Sequence, residues 1–355
     1  MRWGSAMVML VVLAACATTG ATGEGDRNLP TVGVGPFRKL AADEVREIAP
    51  FVYDDRLAFY REPAVVADGD ATLLYVVAKR EGRDVIVRTR AADGRAFYGS
   101  TSDFGKTAPV VLAADQPWEG IAVSGPFVLR TAAGFVLYYA AAGGIGSARS
   151  SDGLTFQKDP GPLLARELAS AWESTEVHAP SAYVLADGRV RLLYASGTSI
   201  GEAESTDGGA RFTRLSPAPI LGPAPDAPAG SLLPYEKPPF DTARVADPCA
   251  SLETTPVGRS HLRVLYTGYD AAGVSAIGYA GRFGDQGPLE RQPSPIYSVG
   301  ASEAAPALLQ TGDTSYLYVQ QVRRVDDKLS YPAIAAAYAP GSTRLPTPAE
   351  FPERP

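Results

Sequence analysis

The side chains in this sequence best equipped for chemistry are carboxylates that stand beside prolines. Glu62 precedes Pro63, Asp247 precedes Pro248, Glu303 lies just before Pro306, and Glu176 opens Glu176-Val177-His178-Ala179-Pro180. Carboxyls drawn from distant positions into one small volume repel each other and lose water, which separates their pKa values into acid and base roles. The plainer reading of Glu62 and Asp247 is ion pairing with the neighbouring Arg61 and Arg244. Other chemistries are poorly supplied. His178 and His261 are the only histidines, so a histidine-rich zinc site is not expected and no metal ligand set is assigned. A Ser/His/Asp arrangement would have only those two histidines to draw on, and no nucleophile-elbow motif accompanies them.

These residues sit in a repeat. Pro63, Pro126, Pro180, Pro248 and Pro306 each open a short apolar segment, followed by a turn and a second segment rich in Leu and Tyr, such as Leu73-Leu74-Tyr75 or Leu192-Leu193-Tyr194. A third segment recurs as Ile145-Gly146, Ile200-Gly201 and Ile277-Gly278, and a fourth as Pro162-Leu163-Leu164, Pro219-Ile220-Leu221 and Pro295-Ile296-Tyr297. Asp/Gly-rich turns such as Ala186-Asp187-Gly188 suit hairpins that need positive φ. Four strands returning roughly every 54 to 68 residues predict an all-β chain folded as a five-bladed β-propeller of four-stranded antiparallel blades. A ring covers both faces of each sheet with its neighbours, which two β-sandwiches would do without repeating one plan five times.

The ends read differently. Arg2 and the short apolar run from Ala6 to Leu13 lead to Leu13-Ala14-Ala15-Cys16, which resembles the lipobox of bacterial lipoproteins. The resemblance implies cleavage of a signal peptide (1–15) and lipidation of Cys16 with acyl chains of the palmitate type, an anchor far firmer than one myristoyl group. Ala17 follows, with no Asp to suggest inner-membrane retention, so the expected place is the cell envelope at the outer membrane. Residues 16–40 read as a tether that could lend a strand to close the ring, 41–340 as the propeller and 341–355 as a proline-rich tail. With Cys16 lipidated, Cys249 is alone and no intramolecular disulfide forms. A formal charge of −6 with no basic run argues against nucleic acid.

The repeat, with Arg61-Glu62-Pro63, Ala246-Asp247-Pro248, Ala148-Arg149-Ser150-Ser151-Asp152-Gly153 and Ala203-Glu204-Ser205-Thr206-Asp207-Gly208, resembles the arabinanase, xylosidase, invertase and levansucrase superfamily of five-bladed glycoside hydrolases. The resemblance implies a site at one mouth of the central channel, where one carboxyl protonates the leaving oxygen and another serves water or the anomeric carbon. Carried over, it makes Glu62 base or nucleophile, Glu176 acid and Asp247 modulator. Arg61, His178 and Glu303 would bind substrate. The chain departs from the family pattern in having Glu62 where an Asp is usual. Trp118-Glu119, Trp172-Glu173 and Phe240-Asp241 precede their prolines at matching offsets. Trp118 and Trp172 could stack a sugar while the acids meet its hydroxyls, or the rings could wedge between blades as core. The implied partner is a carbohydrate or cell-envelope polymer, met by a monomer that needs no cofactor, a structural calcium in the channel aside. The alternative is a non-catalytic glycan-binding or protein-interaction lipoprotein on the same fold.

Overall fold

The computed structural model describes residues 37–39, 60–91, 108–167, 170–173, 175–226, 238–254, 258–299, 302–311, 314–322, 324–325, 328–329 and 333–340. Cys16, the tail 341–355 and most of the loop between the third and fourth blades lie outside them. After β1 (Arg38–Lys39), the first blade is β2 (Arg61–Asp68), β3 (Ala71–Arg80), β4 (Arg83–Ala91) and β5 (Val110–Leu112). The second is β6 (Val123–Thr131), β7 (Gly134–Ala141), β8 (Gly144–Ser150) and β9 (Gln157–Lys158). The third is β10 (His178–Val184), β11 (Val190–Ser196), β12 (Ser199–Ser205) and β13 (Thr213–Arg214). The fourth is β14 (Arg244–Thr254), β15 (Ser260–Tyr269), β16 (Ser275–Phe283) and β17 (Glu290–Arg291). The fifth holds β18 (Ser302–Thr311), β19 (Thr314–Val322) and β22 (Ala333–Pro340), with β20 (Arg324–Val325) and β21 (Lys328–Leu329) as a side hairpin.

The protein is a five-bladed β-propeller. In the first four blades strand order follows chain order, whereas the fifth takes β1 as its outermost strand beyond β22. Arg38 pairs with Tyr338 and Lys39 with Ala337, so the N-terminal segment closes the ring. The inner strands pack in sequence, β2 on β6, β6 on β10, β10 on β14, β14 on β18 and β18 back on β2.

The core lies between blades. Leu73, Tyr75 and Ile86 of the first blade pack with Leu137 and Tyr139 of the second, and equivalent clusters fill the other four gaps. The middle strands are buried along almost their whole length, as in Ala71–Ala78 and Val190–Ser196. That explains why their sequences are nearly continuous apolar runs, since a sheet covered on both faces has no polar side to alternate with. Neighbouring blades are also latched by their turns. Tyr75 donates its hydroxyl to Gly153 O at 2.7 Å, and that turn is itself held by Asp152, whose Oδ1 accepts from the N–H of Leu154 and Thr155. Those backbone bonds, with the Ser150 hydroxyl, pull the Asp152 carboxyl down to about 2.

Candidate functional site

The five prolines mark the channel. In every blade the inner strand breaks register at its proline: between Arg61 and Ala64, Ser124 and Phe127, His178 and Ser181, Ala246 and Cys249, and Ala304 and Ala307. The residue before each proline carries a left-handed backbone, with φ of 53° at Glu62, 54° at Gly125, 47° at Ala179, 49° at Asp247 and 50° at Ala305. Proline disfavours the right-handed helical region for the residue before it, and the bulge takes up the extra residue by bending the strand. Two of the five positions are plain alanines, so the conformation belongs to the ring and not to any one side chain. All five residues line one cavity of about 100 Å³ together with Phe127, Cys249 and Leu308.

Glu62 and Asp247 therefore reach the same void from blades one and four. Glu62 Oε2 accepts the Gly125 N–H at 2.6 Å, and Oε1 lies 3.3 Å from Arg61 Nε. The Glu62 N–H is taken by Gln320 Oε1 of blade five at 3.3 Å. Arg61 also pairs with Asp84 at 2.5 Å, and Lys79 joins Asp84 at 3.0 Å. Burial pushes the Glu62 carboxyl above the usual carboxylate range. Arg61 and the Gly125 N–H pull the other way, while Asp247 and Asp84 push with the burial. Even so, 28 % of the Glu62 side chain remains exposed.

Arg244 does not pair with Asp247 as the ion-pair reading expected. Its guanidinium lies 3.9 Å from the centre of the Tyr269 ring. Burial, reinforced by Asp247 and more weakly by Glu62, raises the Tyr269 hydroxyl to about 12 against the pull of Arg244. Tyr269 was not singled out in the sequence. The signal that could have found it is the register that sets it opposite Arg244 at the open end of blade four. The thiol of Cys249 is free, buried in the channel wall and pushed up to about 11 by that burial.

The other expected site residues lie elsewhere. Glu176 is exposed and lines a separate cleft with Ala142, Gly143, Gly144, Ala165, Arg166 and Val177. His178 is half-buried at the start of β10, with Nδ1 3.4 Å from Glu176 O. Glu303 is fully buried and accepts from Gln321 Nε2 at 3.0 Å. Among the described residues no group of three or more His, Cys, Asp or Glu converges, so a channel calcium would rest on two carboxylates, backbone carbonyls and water.

The aromatic-acid pairs form one unit repeated three times. Trp118 packs on Tyr139, Trp172 on Tyr194 and Phe240 on Tyr266, with ring centres 5.8, 5.8 and 6.2 Å apart. In each the neighbouring acid accepts the tyrosine hydroxyl: Glu119 from Tyr139, Glu173 from Tyr194 and Asp241 from Tyr266. It also meets a cation of the outermost strand, namely Lys158, Arg214 or Arg291. Gly146, Gly201 and Gly278 are the floor beneath the rings, and a methyl on Gly146 would stand 2.6 Å from Trp118 Cη2. Trp118 and Trp172 are half-buried, each stacked on a tyrosine of its own blade.

Solved structures give this geometry its relatives. A structure from the GH130 family of mannoside phosphorylases, described as containing glycoside hydrolases that target β-1,2-mannosidic linkages in Candida mannan, is 17% identical. It matches at a TM-score of 0.53 over 79% of this chain and 84% of its own. A glycosyl hydrolase from Bacteroides ovatus is 15% identical, with a TM-score of 0.56 over 88% of this chain and 94% of its own. The α-L-arabinofuranosidase from Podospora anserina, solved with cellotriose, is 10% identical, with a TM-score of 0.53 over 87% and 96%. The fold is that of the glycoside hydrolase propellers. Neither a protein-family model nor a curated protein matches the sequence.

Proposed function

We propose that this chain is a carbohydrate-active enzyme of the cell envelope that breaks or transfers a glycosidic bond at the open end of its channel. The observation that carries the reading is the meeting of Glu62 and Asp247 in one cavity, with the Glu62 carboxyl raised by burial and by its acidic neighbour. A carboxyl whose pKa is raised gives up its proton less readily than an ordinary one, which suits the group that protonates the leaving oxygen, so Glu62 takes the acid role. Asp247, on the opposite wall, serves water or the anomeric carbon. Arg61 binds beside Glu62 and keeps its orientation. The glycoside hydrolase names of the structural neighbours support the substrate class through the fold alone. The lipobox-like Cys16 supports a lipid anchor, which would hold the mouth near envelope polymers.

The test is reducing-end release from β-1,2-linked manno-oligosaccharides and linear arabino-oligosaccharides. Glu62→Gln and Asp247→Asn should each lower turnover about 100-fold or more without lowering the melting temperature. A non-catalytic glycan-binding reading is favoured by one observation, that both oxygens of Glu62 already have partners in the ring. Binding without turnover would move the assignment to it. Neither turnover nor binding on any glycan would refute both. Replacing Cys16 by Ser should release the protein from membranes and abolish incorporation of labelled palmitate.

A further inference from the structure

We infer that the cleft between the second and third blades is a second sugar subsite, so that the ligand is an extended neutral glycan of at least two units. This rests on the glycan reading of the channel mouth. The channel void, at about 100 Å³, falls short of the roughly 300 Å³ at which pockets begin to enclose small ligands. The cleft holds about 330 Å³.

The two cavities are neighbours. Val123 pairs with Ala141, so the β7–β8 turn at Ala142 and Gly143 stands at the same end of blade two as the Gly125 bulge. Val177 lines the cleft and Ala179 lines the channel, with His178 between them. Two residues of one chain segment thus border both cavities, which places the cleft directly beside the channel wall at blade three. His178 is then the sill over which the glycan would cross. The cleft wall suits hydroxyls. Arg166 offers only donors and Glu176 only acceptors, both side chains are exposed to solvent, and their charges cancel. The Ala142, Gly143 and Gly144 turn forms the blade-two side of the cleft wall. Glu176, which the family resemblance would make an acid, becomes a binding residue one subsite away from the reacting bond.

The experiment is calorimetric titration of the intact chain carrying Asp247→Asn with manno-oligosaccharides and arabino-oligosaccharides of one to four units. Affinity should rise at least tenfold between one unit and two in the series that binds. Glu176→Ala and Arg166→Ala should each bring the two-unit affinity down toward that of the single unit. Both residues are exposed, so an unchanged melting temperature checks that the fold is intact. Affinity that is flat with length, or a length step that survives both substitutions, would overturn the subsite and leave the channel reading standing. Absence of binding at every length would sink the glycan reading and the path with it.

Discussion

Glu173→Ala separates the two meanings an acid beside a tryptophan can have. In the fold the Glu173 carboxyl is fully buried and accepts four hydrogen bonds: Tyr194 Oη at 2.7 Å, Arg214 Nε and Nη2 at 2.6 Å each, and the Glu167 N–H at 3.0 Å. Burial alone would raise this carboxyl, but Arg214, Tyr194 and the Glu167 N–H outweigh it and leave it below the ordinary value. Truncation strands the buried Tyr194 hydroxyl and leaves Arg214, whose side chain is 20 % exposed, with only Ala165 O and Glu167. Breaking a buried pair in this way costs about 3–5 kcal/mol. For a ring of this size that corresponds to a melting temperature lower by about 6–10 °C. Glu173→Gln keeps the shape and one acceptor, so it should lose about half as much.

The pH dependence has a fixed sign. A folded-state pKa below the unfolded value of 4.5 gives stability that is present above pH 4.5 and lost as pH falls through the folded value. The gap between wild type and Glu173→Gln should therefore narrow below pH 4.5. Thermal melts across pH 3 to 8 read both effects. A drop under about 2 °C for Glu173→Ala, or loss of oligosaccharide affinity with the melt unchanged, would refute the structural assignment and return the pair to the ligand.

Gly146→Ala should lower stability by about 1–3 kcal/mol, because the new methyl would stand 2.6 Å from Trp118 Cη2 and 2.9 Å from Tyr139 Cζ; a denaturant midpoint shift measures it. Glu62→Gln should behave in the opposite sense to Glu173→Gln. A raised folded-state pKa is a stability cost that is complete above that pKa and fades as pH falls toward the unfolded 4.5, so the variant's relative gain should be largest at neutral pH and shrink in acid.

The ring could be read from the sequence because its repeat is a packing requirement. Each proline sits at a bulge, each Leu/Tyr segment is a strand covered on both faces, and each Ile-Gly leaves room for an aromatic ring. Tyr75, Tyr138 and Tyr318, at one offset from their prolines, all lie in the inter-blade cores. The site was only partly readable. Glu62 and Asp247 share the cavity because each is the residue directly before its proline, and the bulge holds only that residue and the proline. Glu176 and Glu303 lie three and two places further upstream, where ordinary backbone turns their side chains to a cleft and to the core. Direction was invisible for the tryptophans too. A ring facing a ligand and a ring facing the next strand have the same spacing, and only the tyrosine and cation that complete each unit distinguish them.

The five left-handed positions around the channel hold Glu, Gly, Ala, Asp and Ala on a nearly constant backbone, with φ between 47° and 54°. Gly125 apart, they behave as sockets of one shape. The wall asks each occupant for its backbone angle more than for a particular side chain. A lineage could add or withdraw a functional group at Ala179 or Ala305 by one codon change, without repacking a blade. A designer could place acids, amides or thiols at the four that already carry a Cβ, whereas a Cβ at Gly125 would stand 3.1 Å from Ala179 N.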